Sequence, residues 1–92
     1  MTDREPDNLV SIGDAVELLR NQFPDVSHSS LRFLEREGLI SSSRTSGGHR
    51  LYAQSDIDRV VLIKMWQREG RSLEDIRQRL ALRDSLQDPG RL

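Results

Sequence analysis

A chain of 92 residues has room for one small domain with a modest core, and too little for a catalytic domain beside a deep pocket. It is 35% hydrophobic and 32% charged, with a net charge of -1 and no cysteine, which excludes disulfides, thiolate metal sites and a cysteine nucleophile. No apolar run approaches the roughly 20 residues that cross a bilayer, and the polar start MTDREPDN is not a signal peptide, so a cytoplasmic protein with no membrane attachment is expected.

Residues 1–10 are polar, turn-forming and without periodicity, and read as a flexible tail. Ser11 opens SIGD, a Ser-x-x-acid variant of the capping box, and Ile12, Ala15, Val16 and Leu19 then recur at helical spacing, predicting a helix over about 12–20. Pro24 disfavours helix at Phe23, while Asn21 and Asp25 are loop formers. Ser27 is the N-cap of a second helix over about 27–37, with Gly38 as its left-handed stop. Leu31 and Leu34 form the inward stripe of that helix, leaving Ser29, Ser30, Arg32, Phe33 and Arg36 nearer the open side.

LIS and HRLY flank RTSGG as two brief segments around a glycine-containing turn, predicting a hairpin over about 39–53. Ser55 with Asp58 predicts the start of a third helix, over about 56–69, with Ile57, Val60, Val61 and Met65 toward the core. Gly70 ends it. Ser72 with Asp75 opens a fourth helix carrying Leu73, Ile76 and Leu80 to about Arg83, and Pro89 and Gly90 close a C-terminal tail over 84–92. The domain expected between the two tails is 11–83.

Helix, loop, helix, hairpin, helix, helix is the order of a winged helix-turn-helix: a mainly α fold of about four helices with a small β-hairpin wing. Charge is distributed to match. Residues 1–27 hold Asp3, Glu5, Asp7, Asp14, Glu17 and Asp25 against Arg4 and Arg20, whereas the 18 positions 38–55 hold no acid and carry Arg44, His49 and Arg50. Local potential governs encounter with a polyanion more than net charge does. A carboxylate in the wing would face phosphate, and glycines let backbone N–H groups approach a strand closely. Among the lysines and arginines every one except Lys64 is arginine, whose guanidinium forks onto phosphate or a guanine edge. Neither Arg44 nor Arg50 has a nearby acid in sequence, so both are expected to be available to DNA, while Arg32 has the alternative of pairing with Glu35 three residues on. Tyr52 is placed equally well for the core with its hydroxyl at the surface, and Gly47 and Gly48 equally well as turn residues.

IGD at 12–14, SSLRFLEREGLI at 29–40, RTSGGHRLY at 44–52, SDIDRVVLI at 55–63 and GRSLEDI at 70–76 together resemble the N-terminal DNA-binding domain of MerR-family transcriptional regulators. The likeness covers about 11–82. It implies promoter DNA as partner, the helix 27–37 in the major groove and the hairpin as wing on the backbone or minor groove, with a homodimer or a head-to-tail array on DNA at the nucleoid. It places Ser29, Ser30, Arg32, Phe33 and Arg36 on the recognition helix, and Arg44, Gly47, Gly48, His49, Arg50 and Tyr52 on the wing. Phe33 and Leu34 replace the family's usual tyrosine pair, and RNQFPD is longer than the usual interhelical turn; FPDVS and RFLE resemble the FtsR-type subgroup. Full-length members continue into a long dimerisation helix, so a chain stopping at Leu92 resembles an excised N-terminal domain or a short effectorless form such as the BldC-like regulators.

A docking module that grips protein instead of DNA, and an excisionase-like architectural DNA-binding protein, are the alternatives; the acid-free wing argues against the first. His28 and His49 have no HExxH-type spacing, and no nucleophile elbow or phosphate loop occurs, so no catalytic residue, metal or cofactor is expected.

Overall fold

In the computed structural model, which describes residues 9–86, the chain runs β1 (Val10–Ser11), α1 (Ile12–Arg20), α2 (His28–Arg36), β2 (Ser43–Arg44), β3 (Arg50–Tyr52), α3 (Gln54–Arg68) and α4 (Leu73–Leu86). Four helices and a small antiparallel sheet in this order form a winged helix-turn-helix. Of the tails expected over 1–10 and 84–92, residues 1–8 and 87–92 lie outside the described residues. The chain divides into two compact units, one ending at Val61 and the other beginning at Leu62.

In the first unit the local capping signals set the helices. The Ser11 hydroxyl accepts the Asp14 N–H at 3.1 Å, and Ser27 and Ser30 form a reciprocal capping box, each hydroxyl accepting the other's backbone N–H. α2 ends in a Schellman motif at Gly38, φ 75°, where the Leu39 N–H donates to Leu34 O and the Gly38 N–H to Glu35 O, both at 3.0 Å. The long connection between α1 and α2 is part of the core: Phe23 and Val26 are each 1% exposed, and the Phe23 N–H donates to Leu19 O at 2.8 Å. Those two side chains join Ala15, Val16 and Leu19 of α1, Leu31 and Leu34 of α2, and Leu39, Ile40 and Tyr52, all buried. α1 packs on α2 and on the β1–β3 pair.

The sheet order is β1-β3-β2, with Val10 opposite Tyr52, Ser11 opposite Leu51, and Arg44 opposite Arg50. β1 departs from the tail expected over 1–10. Two residues show no periodicity, and their pairing depends on the free edge that β3 offers from 40 positions away. At the hairpin tip the Gly48 N–H donates to Thr45 O at 2.9 Å and Gly48 takes φ 87°.

α3 begins at Gln54, ahead of the expected start. The Ala53 N–H donates to Asp56 Oδ2 at 3.1 Å, so Asp56 closes the first turn and Ser55 lies inside the helix. Ile57 and Val60 are buried there.

In the second unit Ile63, Ile76 and Leu80 are buried, while Met65, expected inward, is 45% exposed. The buried α3 positions 57, 60 and 63 advance by three, and Met65 falls about 160° round the helix from Ile63 and away from that stripe. Gly70, φ 89°, ends α3 as expected, and the Ser72 hydroxyl accepts the Asp75 N–H at 3.1 Å at the start of α4. α4 continues past Arg83 to Leu86, since ALRDSL contains no helix breaker. Asp75 accepts from Arg71 at 3.1 Å and from Arg79 at 3.3 Å, and the Arg79 guanidinium lies 5.9 Å from the Trp66 ring centre.

Candidate nucleic-acid interface

With about 100° between successive residues, the inward direction of α2 is fixed by Leu31 and Leu34, and the opposite direction is shared by Ser29, Arg32, Phe33 and Arg36. All four are exposed. Neither Arg32 nor Arg36 makes a side-chain hydrogen bond or ion pair with any described residue, so the Arg32–Glu35 pairing weighed from the sequence does not form. Ser30 is turned to the flank of α2, and its hydroxyl donates to Ser27 O at 2.9 Å while accepting the Ser27 N–H at 2.8 Å, which commits its proton to the cap.

Glu35 is occupied by the wing. Its Oε1 accepts from Arg50 Nε at 2.9 Å and from the Tyr52 hydroxyl at 3.3 Å, and its Oε2 accepts from the Ser42 hydroxyl at 2.9 Å. Strand alternation puts Arg50 and Tyr52 on the same face of β3, so one carboxylate on α2 can take both. The expectation that Arg50 has no acid partner is corrected, since it pairs with Glu35, 15 positions earlier. Of the two placements open for Tyr52 the structure shows the core one: the residue is 1% exposed and its hydroxyl donates to Glu35. Burial pushes the Glu35 carboxyl up, but the hydrogen bonds from Ser42, Arg50 and Tyr52 outweigh it and hold the group below its ordinary value. Burial and the adjacent Glu35 charge push the Tyr52 phenol up to about 12.

Past this junction the wing is open. Arg44 is exposed and donates from Nη1 to Gly48 O at 3.1 Å, which braces the turn. Gly47, Gly48 and His49 are exposed as well. Glu35 thus ties α2 to β3 and to Ser42 through one carboxylate. Ser29, Arg32, Phe33, Arg36, Arg44, Gly47, Gly48 and His49 are exposed, whereas the side chains of Ser30, Arg50 and Tyr52 are taken up in hydrogen bonds within the fold.

Sequence reasoning missed Glu35 and Ser42 as the joint, and it missed Arg59, whose Nε donates to Leu39 O at 2.6 Å and fixes the segment leaving α2. The one available signal was the i, i+2 spacing of Arg50 and Tyr52, which puts a cation and a phenol on one strand face with a shared need for an acceptor.

Among the described residues no group of three or more His, Asp or Glu side chains is gathered as a metal site, and no helix is long and apolar enough to cross a membrane. Residues 10–82 match the family described as MerR HTH family regulatory protein. Over 60 residues the chain is 45% identical to an uncharacterized HTH-type transcriptional regulator of Mycobacterium tuberculosis, a match covering 65% of this chain and 24% of that protein. It is 37% identical over 60 residues to the HTH-type transcriptional regulator ZntR of Escherichia coli, covering 64% of this chain and 43% of ZntR. The chain thus spans less than half the length of either relative. Among solved structures it is similar to HiNmlR, a MerR family regulator lacking the sensor domain and bound to promoter DNA, with TM-score 0.74 and 25% identity, covering 87% of this chain and 58% of that one.

Proposed function

Because this chain belongs to the MerR family of helix-turn-helix regulatory proteins, we propose that it binds double-stranded promoter DNA sequence-specifically and regulates transcription, with α2 in the major groove and the β2–β3 wing on the adjacent backbone or minor groove. Ser29, Arg32 and Arg36 would then meet base edges, the last two as bidentate donors to guanine. Arg44, His49 and the N–H groups around Gly47 and Gly48 would meet phosphate and set register. Two copies on an inverted or direct repeat, acting in the cytoplasm at the nucleoid, complete the proposal.

The observation that carries it is the outward face of α2, which exposes two arginines that have no hydrogen-bond or ion-pair partner among the described residues, on a helix that Glu35 fastens to the wing strand β3. HiNmlR, the structural neighbour, is bound to promoter DNA, which supports DNA as the partner. The test is selection of bound duplexes from a random pool by the wild type and by Arg32→Ala. The wild type should enrich one motif, and Arg32→Ala should lose about 1 to 3 kcal/mol of binding and relax the preference at one position. Enrichment of no motif by the wild type would refute sequence-specific binding, and one and the same motif from both proteins would remove Arg32 from base readout.

A further inference from the structure

We infer that Phe33 is a specificity-determining residue that reads thymine through its C5 methyl group. The inference rests on the DNA-binding reading above and deepens it.

The two phenylalanines of the chain have opposite surroundings. Phe23 is 1% exposed in the core, whereas Phe33 is 38% exposed on the side of α2 facing away from Leu31 and Leu34. Its neighbours on that side are Ser29 one turn before, Arg32 beside it, and Arg36 and the C-cap Glu37 one turn after, so the ring is an apolar island among polar side chains. Folding covers part of the ring, and the remainder left in water contributes no burial. With α2 in the major groove, the same ring becomes a probe of the groove floor. That floor is made of hydrogen-bond donors and acceptors, and the one apolar substituent the four bases present is the thymine methyl. Phenylalanine has no polar side-chain atom, so it rewards a methyl group and leaves the cytosine amino group or the adenine edge without a partner. Arg32 and Arg36, flanking the ring, would fix its height over the base pairs.

The experiment uses the full chain and the duplex obtained by selection, with each thymine replaced singly by deoxyuridine, which keeps the base pair and removes only the methyl group. Binding is read by fluorescence anisotropy on the wild type, Phe33→Ala and Phe33→Leu, each checked for folding by circular dichroism. At one thymine the wild type should lose about fourfold in affinity, the worth of one buried methyl group. Phe33→Ala should bind the two duplexes equally, and Phe33→Leu should keep part of the difference. Deoxyuridine tolerated by the wild type at every thymine, or the same penalty in Phe33→Ala, overturns the inference while the DNA-binding reading stands. Absence of binding to any duplex overturns both.

Discussion

Replacing Glu35 by Ala removes the acceptor shared by Arg50, Tyr52 and Ser42 and should be the most damaging single change on the polar side of the first unit. The Arg50 and Glu35 side chains are 26% and 22% exposed, so their pair lies between a surface ion pair of about 0.2 to 1 kcal/mol and a buried one whose rupture costs about 3 to 5 kcal/mol. Water still reaches Arg50, which keeps that contribution near about 1 kcal/mol. Tyr52 is 1% exposed, and a buried hydroxyl without its acceptor costs about 1 to 3 kcal/mol. The expected loss for Glu35→Ala is about 2 to 3 kcal/mol, and about half of that for Glu35→Gln, which retains a neutral oxygen at the same place. Urea unfolding followed by circular dichroism measures both. Because the folded carboxyl lies below its ordinary 4.5, the stability it contributes is present above that pH and is lost as pH falls through the depressed value. The gap between wild type and Glu35→Gln should therefore close in acid. An unchanged urea midpoint for Glu35→Ala at neutral pH, or a wild-type advantage over Glu35→Gln that persists in strong acid, would refute the account of the joint.

Gly48→Ala should destabilise by about 1 to 2 kcal/mol because φ 87° is left-handed although no atom crowds the new methyl group, whereas Gly47→Ala, at an ordinary φ and 3.5 Å from the His49 ring, should stay within about 0.5 kcal/mol of wild type; urea midpoints of the two variants decide it. Tyr52 is the single tyrosine, so an ultraviolet absorbance titration reads it alone and should show phenolate forming near pH 12, with stability falling between pH 10 and that value as the unfolded chain ionises first; a reversible midpoint at pH 10 in the folded protein would contradict its burial against Glu35. Arg44→Ala should weaken binding to all duplexes about equally and lower the slope of log affinity against log salt by about one contact, and an unaltered slope would remove Arg44 from the phosphate set.

What the sequence made legible was what acts over four residues or fewer. Ser11, Ser27 and Ser72 cap where expected, and Gly38 and Gly70 stop their helices, because each signal and its target lie within one turn. The start of α3 was misread where two local patterns compete, Ser55 with Asp58 and Ala53 with Asp56, and the second prevails in the fold. The outward face of α2 followed from the period of Leu31 and Leu34. The partner of Arg50 did not, because Glu35 and Arg50 are 15 positions apart and meet only after β3 has turned back beside α2. Freedom from acid along a segment says nothing about acids that a neighbouring helix brings to it.

That correction changes what the acid-free hairpin is for. Arg44 and Arg50 are directly opposite across the β2–β3 ladder, an arrangement that destabilises a sheet when both cations are bare. A hairpin with strands of two and three residues is also too short to hold its shape alone. Glu35 meets both needs, neutralising the inner of the two arginines and fastening β3 to α2 through the same carboxylate. A second carboxylate inside the hairpin would compete for Arg50 and for Arg44, and would bring negative charge to the exposed tip. The absence of acid over 38–55 therefore leaves Glu35 as the acceptor of the inner arginine and Arg44 as the outward one, so the wing gives up one cation for a fixed orientation. For a polyanion of regular spacing, a hairpin fastened to its helix would serve recognition better than a mobile loop, since each phosphate contact sets register only if its donor is already in place.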